Sequence, residues 1–154
     1  MVMIMDKQIK ELPYTDETTK VMLQELVEKK VKFDSAENNH RYHVLISFGL
    51  AIILLYNIYQ SIKYMEVMQF DILQMVFSQN HLNLMILILL ILDFAWLKVA
   101  KVKLTKLETE FHQLRIEIAD KSKDLWRDEA WTGRNHVFSV LKEKYDINIY
   151  YESK

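Results

Sequence analysis

The sequence predicts an all-α protein: a two-helix transmembrane hairpin with cytoplasmic helical, coiled-coil extensions and a short extended C-terminal tail. Three observations lead to that class. The 154 residues include Gly 2 and Pro 1, too few turn formers for a loop-rich or many-stranded domain, so long helices are the default. Two stretches, 44–62 and 82–100, have the length and apolarity of bilayer spans. After the second, apolar residues recur in alternating steps of three and four, the pattern of a helix packed lengthwise on another helix.

Composition also excludes several functions. Lys+Arg 20 against Asp+Glu 21 leaves no global field to gather nucleic acid, so no nucleic-acid partner is expected. With Cys 0 there is no disulfide, thiol nucleophile or thiolate metal site. The two glycines, Gly49 and Gly133, cannot form a phosphate-cradling loop. The histidines His40, His43, His81, His112 and His136 match no ligand spacing, and His40 with His43 reads as a solvated face beside Glu37. No serine sits in a nucleophile elbow, and Asp128 and Glu129 are adjacent and solvated. No catalytic residue, cofactor or metal is expected.

Residues 1–43 read as a cytoplasmic helix and a joint. The opening "MVMIMDKQIK" has five apolar residues before Asp6, too short a core for a signal peptide, so a retained N-terminus is expected. In "YTDETTKVMLQELVEKKVKF", Thr15 or Asp16 caps a helix, Asp16 and Glu17 lie at its positive end, and Lys29, Lys30 and Lys32 at its negative end. Met22, Leu23, Leu26, Val27 and Val31 form an apolar face that needs a cover. The polar "DSAENNHRYH" either continues the helix or forms a short joint.

Residues 44–62 contain no charge over nineteen positions, enough at about 1.5 Å per residue to cross most of a bilayer core. Residues 82–100 carry nine consecutive apolar residues, Leu84 to Leu92, before Asp93. Lys29, Lys30, Lys32 and Arg41 precede the first span, and Lys98, Lys101, Lys103, Lys106 and Arg115 follow or end the second. The external connector, 63–81, holds only Lys63, so cation bias places both termini in the cytoplasm. The connector has Met65, Met68, Ile72 and Met75 at helical spacing, compatible with an amphipathic helix in the outer interface or with a loop.

A lipid-facing Asp93 would cost about 2.5–3.5 kcal/mol, so the carboxylate should face protein or water. Steps of three and four from Leu90 pass through Asp93, Leu97, Ala100, Leu104, Leu107, Phe111, Leu114, Ile118, Lys121 and Leu125, placing Asp93 on the packing seam. In an antiparallel hairpin its depth matches Ser47 to Ala51. Ser47 can donate to it, Arg41 or His43 can reach towards it, and the small Ser47 and Ala51, with Gly49 between, permit close approach. Packing is the first role expected for Asp93 and an ion or proton relay the second. Asn57, the other polar residue deep in a span, is expected to bond a neighbouring helix or backbone.

Residues 101–127 read as a cytoplasmic heptad helix with Leu104, Leu107, Phe111, Leu114 and Ile118 as the seam. It packs against the N-terminal helix or in parallel against a second copy, and Lys121 at an inward position weakens its last turn. In 128–154, Thr132 and Gly133 mark a break before a short helix, and "INIYY" alternates like a strand with no partner strand in the chain. It is expected as an extended arm along helices or as a pairing element for another chain. Trp131, Phe138, Tyr145, Ile149 and Tyr151 form a candidate partner-docking tail, and Trp126, Trp131, Tyr150 and Tyr151 also suit a membrane surface.

Taken together, "DETTKVMLQELVEKK", the two spans and "VLKEKYDINIYYESK" resemble the YpbF-like family of small uncharacterised two-span membrane proteins of Bacillus-type bacteria, over residues 15–154. The resemblance implies a bacterial cytoplasmic-membrane location and carries no functional residue onto this chain. The functional expectation is a non-enzymatic integral membrane scaffold or adaptor. It is held in the lipid bilayer and presents its helical stalk and aromatic tail to an unidentified protein partner, with a homo-oligomer also compatible. The alternative is an oligomeric two-span effector or small channel using Asp93 and Asn57.

Overall fold

The computed structural model describes residues 6–63, 81–127 and 130–150. These residues form five helices: α1 (Lys7–Lys10), α2 (Glu17–Lys63), α3 (His81–Asp120), α4 (Ser122–Leu125) and α5 (Ala130–Tyr145). Among the described residues there is no strand. The connector expected over 63–81 lies outside them apart from Lys63 and His81.

Asp16 caps α2, its carboxylate accepting from the Thr19 backbone N–H at 2.9 Å, so one orphan donor of the first turn is satisfied. From there no proline interrupts the chain, and the "DSAENNHRYH" segment continues the helix without a joint. The ion pairs Lys30–Asp34 and Arg41–Glu37, both at 2.8 Å and four residues apart, suit that polar stretch to a helix. Both α2 and α3 are long and apolar enough to cross a membrane.

The chain divides into two units, Met1–Ser35 with Leu104–Lys154, and Ala36–Lys103. The first has a water-type core. Leu23, Leu26 and Val27 of α2, Phe111, Leu114 and Ile118 of α3, Val137, Phe138 and Leu141 of α5, and Trp126 all bury their side chains in it. The cover that Leu23, Leu26 and Val27 require is thus supplied by the α3 seam and by α5, with Met22 packed partly against it, whereas Val31 of the same expected face is exposed. Phe33 stacks on Phe111 at 6.2 Å with rings nearly parallel, Lys30 lies over both rings, and Lys29 bridges to Glu110 at 3.3 Å.

Segments flanking the helices are tied to this core. Asp6 caps α1 and donates its backbone N–H to Gln24 at 2.9 Å, while Ile9 and Leu12 enter the core. At the other end, Asp146 takes a left-handed conformation, φ 55°, which aspartate tolerates better than most residues. That turn stops α5, lets the Ile147 N–H reach the Leu141 carbonyl at 3.1 Å, and sends Ile147 and Ile149 into the core. Over 147–150, the described part of "INIYY", the chain is therefore a non-helical arm laid along helices and not a strand. Arg115, itself buried, donates to the Asn148 carbonyl at 3.4 Å and holds that arm to α3.

Two expectations are corrected. α3 ends at Asp120 and not near Trp126, so Lys121 lies off the seam, exposed and paired with Glu117 at 2.6 Å. A short turn, α4, then carries the chain to Trp126, whose ring enters the core while Leu125 packs partly against it. Thr132 and Gly133 do not break the chain but lie inside α5. The glycine serves close packing: a Cβ on Gly133 would stand 2.6 Å from Tyr14 Cβ and 2.8 Å from its ring. Tyr14 itself has φ 57°, held in a left-handed conformation just after Pro13. Gly133→Ala gains about 1 kcal/mol of helix propensity but overpacks this contact by about 1–3 kcal/mol. A net fall in the melting temperature of the purified chain is expected, and a rise would show that Tyr14 moves aside freely.

Candidate functional site

In the Ala36–Lys103 unit two polar groups of α2, His43 and Ser47, converge on Asp93 of α3. His43 and Ser47 are four apart on α2 and so share one face. Ser47 donates its hydroxyl to Asp93 Oδ2, and His43 Nδ1 lies 3.1 Å from Asp93 Oδ1. The Ser47 hydroxyl is also 3.0 Å from the His43 carbonyl. Three residues beyond Asp93, the Trp96 ring tilts against the His43 imidazole at 6.1 Å. Partner numbers fall on α3 as they rise on α2, so the helices run antiparallel here. With Asp93 ionised, the His43 contact is a hydrogen bond only when Nδ1 carries the proton.

The order of these groups decides what they can do. In nucleophilic catalysis a histidine takes the serine proton while a carboxylate orients the histidine. Here the carboxylate stands between the serine and the histidine, so neither of its partners activates the other. The arrangement is a clamp in which one carboxylate holds two residues of the opposite helix. Leu54 and Leu90 continue the buried side of the same unit. Ala51 is half-buried, whereas Gly49 has no neighbour within 4 Å of a would-be Cβ; close approach therefore falls at Ser47 and not at the glycine.

The other expected residues separate by location. Arg41 is occupied by Glu37 at 2.8 Å and does not reach Asp93. Asn57 donates to the Ile53 carbonyl of its own helix at 2.9 Å. Of the seam, Leu104, Phe111, Leu114 and Ile118 are buried and Leu107 is half-buried. In the proposed docking tail, Phe138 and Ile149 are buried and Tyr145 is half-buried, its phenol pushed up to about 12 by burial and by the Asp6 carboxylate. Trp131 is exposed, and Tyr151 lies outside the described residues. Among the described residues no three metal-ligating side chains converge.

Two features were not singled out from the sequence. Trp96 joins the Asp93 cluster, a contact its spacing of three from Asp93 would have allowed. Arg134 lies over the Trp131 ring at 3.8 Å and 5.8 Å from the Phe138 ring, while Phe138 meets Tyr150 edge-on at 5.0 Å. Trp131, Arg134, Phe138 and Tyr150 thus form one row, of which Trp131 and Tyr150 remain open to solvent. Here too the i, i+3 spacing of Trp131 and Arg134 was the available signal.

The family described as "Protein of unknown function (DUF2663)" matches residues 22–152. The chain belongs to this family. The DUF2663 match spans the Asp93 cluster, the α3 seam and the row on α5. The chain is also 39% identical over 147 residues to the uncharacterized protein YpbF of Bacillus subtilis (strain 168), covering 92% of this chain and 93% of that protein. This agrees with the resemblance read from "DETTKVMLQELVEKK", the two apolar runs and "VLKEKYDINIYYESK" together. No solved structure matches.

Proposed function

We propose that the chain is a non-enzymatic membrane adaptor. In this reading α2 and α3 cross a bilayer over 44–62 and 82–100, and the helical unit built from the two chain ends lies on the cytoplasmic side. That unit offers the Trp131–Arg134 pair and Tyr150 to a protein partner. The observation that carries the reading is the contrast between the two units. One buries Leu23, Leu26, Ile118, Trp126, Val137 and Leu141 in a shared core, as a domain in water must. The other leaves Leu45, Phe48, Leu55, Ile91, Leu92 and Phe94 at least 60% exposed, and 11% of each apolar window is buried. A helix apolar on all sides needs either a protein core or lipid around it, and lipid is the surrounding that two such helices fit.

Cation bias supports cytoplasmic termini, and the three-four stripe that buries Leu104, Phe111, Leu114 and Ile118 supports a coiled-coil style of packing against α2. The engagement of Asp93 by Ser47 and His43 of the same chain favours a packing role over a pore-lining one. The apolar members of the tail already serve the core, so docking falls to Trp131 and Tyr150, residue types suited to anchoring interfaces.

The full chain should remain in the membrane fraction after an alkaline wash, and release into the supernatant would end the membrane reading. In cross-linked native membranes, Trp131→Ala with Tyr150→Ser should remove foreign-protein cross-links to α5 by tenfold or more, about the loss of one hot spot. The melting temperature should change little. Cross-links that persist undiminished would remove the docking role from this row.

A further inference from the structure

We infer that Lys98, Lys101 and Lys103 form a collar that binds the anionic headgroups of phospholipids where α3 leaves the bilayer. This rests on the membrane reading above and adds to it a lipid chemistry and the residues that select it.

The collar is defined by direction. At about 100° per residue, the half-buried Leu97 and Ala100 mark the side of α3 turned to its packing partner. Relative to that side, Lys101 and Lys98 point about 70° and 130° one way and Lys103 about 90° the other. The three ammonium groups therefore stand on both flanks of the packed side, with Lys98 turned furthest towards the back of the helix, and all three residues are exposed. Between them Val99 and Val102 are 67% and 73% exposed, and Trp96, 55% exposed, lies just before. Alternating valine and lysine below an exposed tryptophan matches the zone where acyl chains give way to headgroups.

Among the described residues of their unit, these charges face no free carboxylate. Among the described residues of 36–103 the carboxylates are Glu37 and Asp93. Glu37 is taken by Arg41, and Asp93 by Ser47 and His43. An acidic protein would cover one side of a helix, whereas charges on both flanks call for a ligand that surrounds it, as an annulus of lipid does. Lys103 stands on the other side of the helix from Lys98 and Lys101, so the three do not converge on one free phosphate, and headgroups are met severally, weakly and with salt sensitivity.

The test uses the full chain reconstituted in mixed phosphatidylglycerol and phosphatidylcholine vesicles, with bromines on the acyl chains of one lipid or the other. The Trp96 signal is the difference between the chain and Trp96→Phe. Quenching should show the anionic lipid enriched roughly two- to fivefold beside Trp96. The enrichment should fall towards one in high salt and in K98Q/K101Q/K103Q. Quenching that follows bulk lipid composition, or enrichment that survives the triple substitution, overturns the collar while leaving the membrane reading intact. A Trp96 that neither brominated lipid quenches overturns both.

Discussion

Trp126→Ala should destabilise the helical unit by about 3–5 kcal/mol, the range for truncating a large buried aromatic. The ring is fully buried and meets Phe138 edge-on at 5.4 Å. It follows α4 directly, so its loss would also release the turn that ends α3. For a unit of this size the melting temperature should fall by roughly 10 °C or more, read by circular dichroism of the full chain in mild detergent. Trp126→Phe should be milder, because it keeps the edge-to-face contact and removes an indole N–H that is buried without an acceptor among the described residues. Trp131→Ala, at an exposed position, should shift the transition little. A Trp126→Ala protein that melts within a degree or two of the parent would show that α4 and its tryptophan do not support the core.

Ser47→Ala combined with His43→Leu should have the second large effect, because it leaves Asp93 without either of its hydrogen-bonding partners. On the membrane reading proposed above, a carboxylate left so between two apolar helices costs up to about 2.5–3.5 kcal/mol, and it draws water towards itself. In lipid nanodiscs, amide exchange on α3 around Asp93 should accelerate by tens-fold to a few hundredfold, the kinetic equivalent of that loss. Adding Asp93→Leu to the double variant should restore protection, since it removes the carboxylate whose hydrogen bonds the clamp supplies. Exchange that is unaltered by the double substitution would mean that the two α2 residues do not hold the carboxylate.

Both experiments address features that the sequence disclosed unequally. Asp93 was legible because a charge in an apolar run has few tolerable surroundings, and antiparallel depth matching then pointed to Ser47 with little freedom. Arg41 was an equal claimant with His43 until Glu37, one turn away, occupied it. Trp126 was read as a possible surface aromatic, since nothing in local pattern distinguishes an aromatic that sits at an interface from one that plugs a core. The helix end at Asp120 was missed for a similar reason: the three-four stripe continues on paper through Lys121 to Leu125, and only the competing burial of Trp126 stops it.

Local chemistry and periodicity were sufficient for the all-helical class, the capped start of α2, the two apolar runs, the seam from Leu104 to Ile118 and the partnership of Ser47 with Asp93. Each depends on neighbours within a turn or two, or on a burial cost large enough to leave one solution. The fate of Gly133, the burial of Phe138, Ile147 and Ile149, and the row from Trp131 to Tyr150 depend on contacts between segments far apart in the chain. A glycine reads as a turn former until Tyr14 is placed against it, and an alternating tail reads as a strand until helices supply the surface it lies on. Those choices are made by packing, because a side chain's worth is set by the distant surface that it meets.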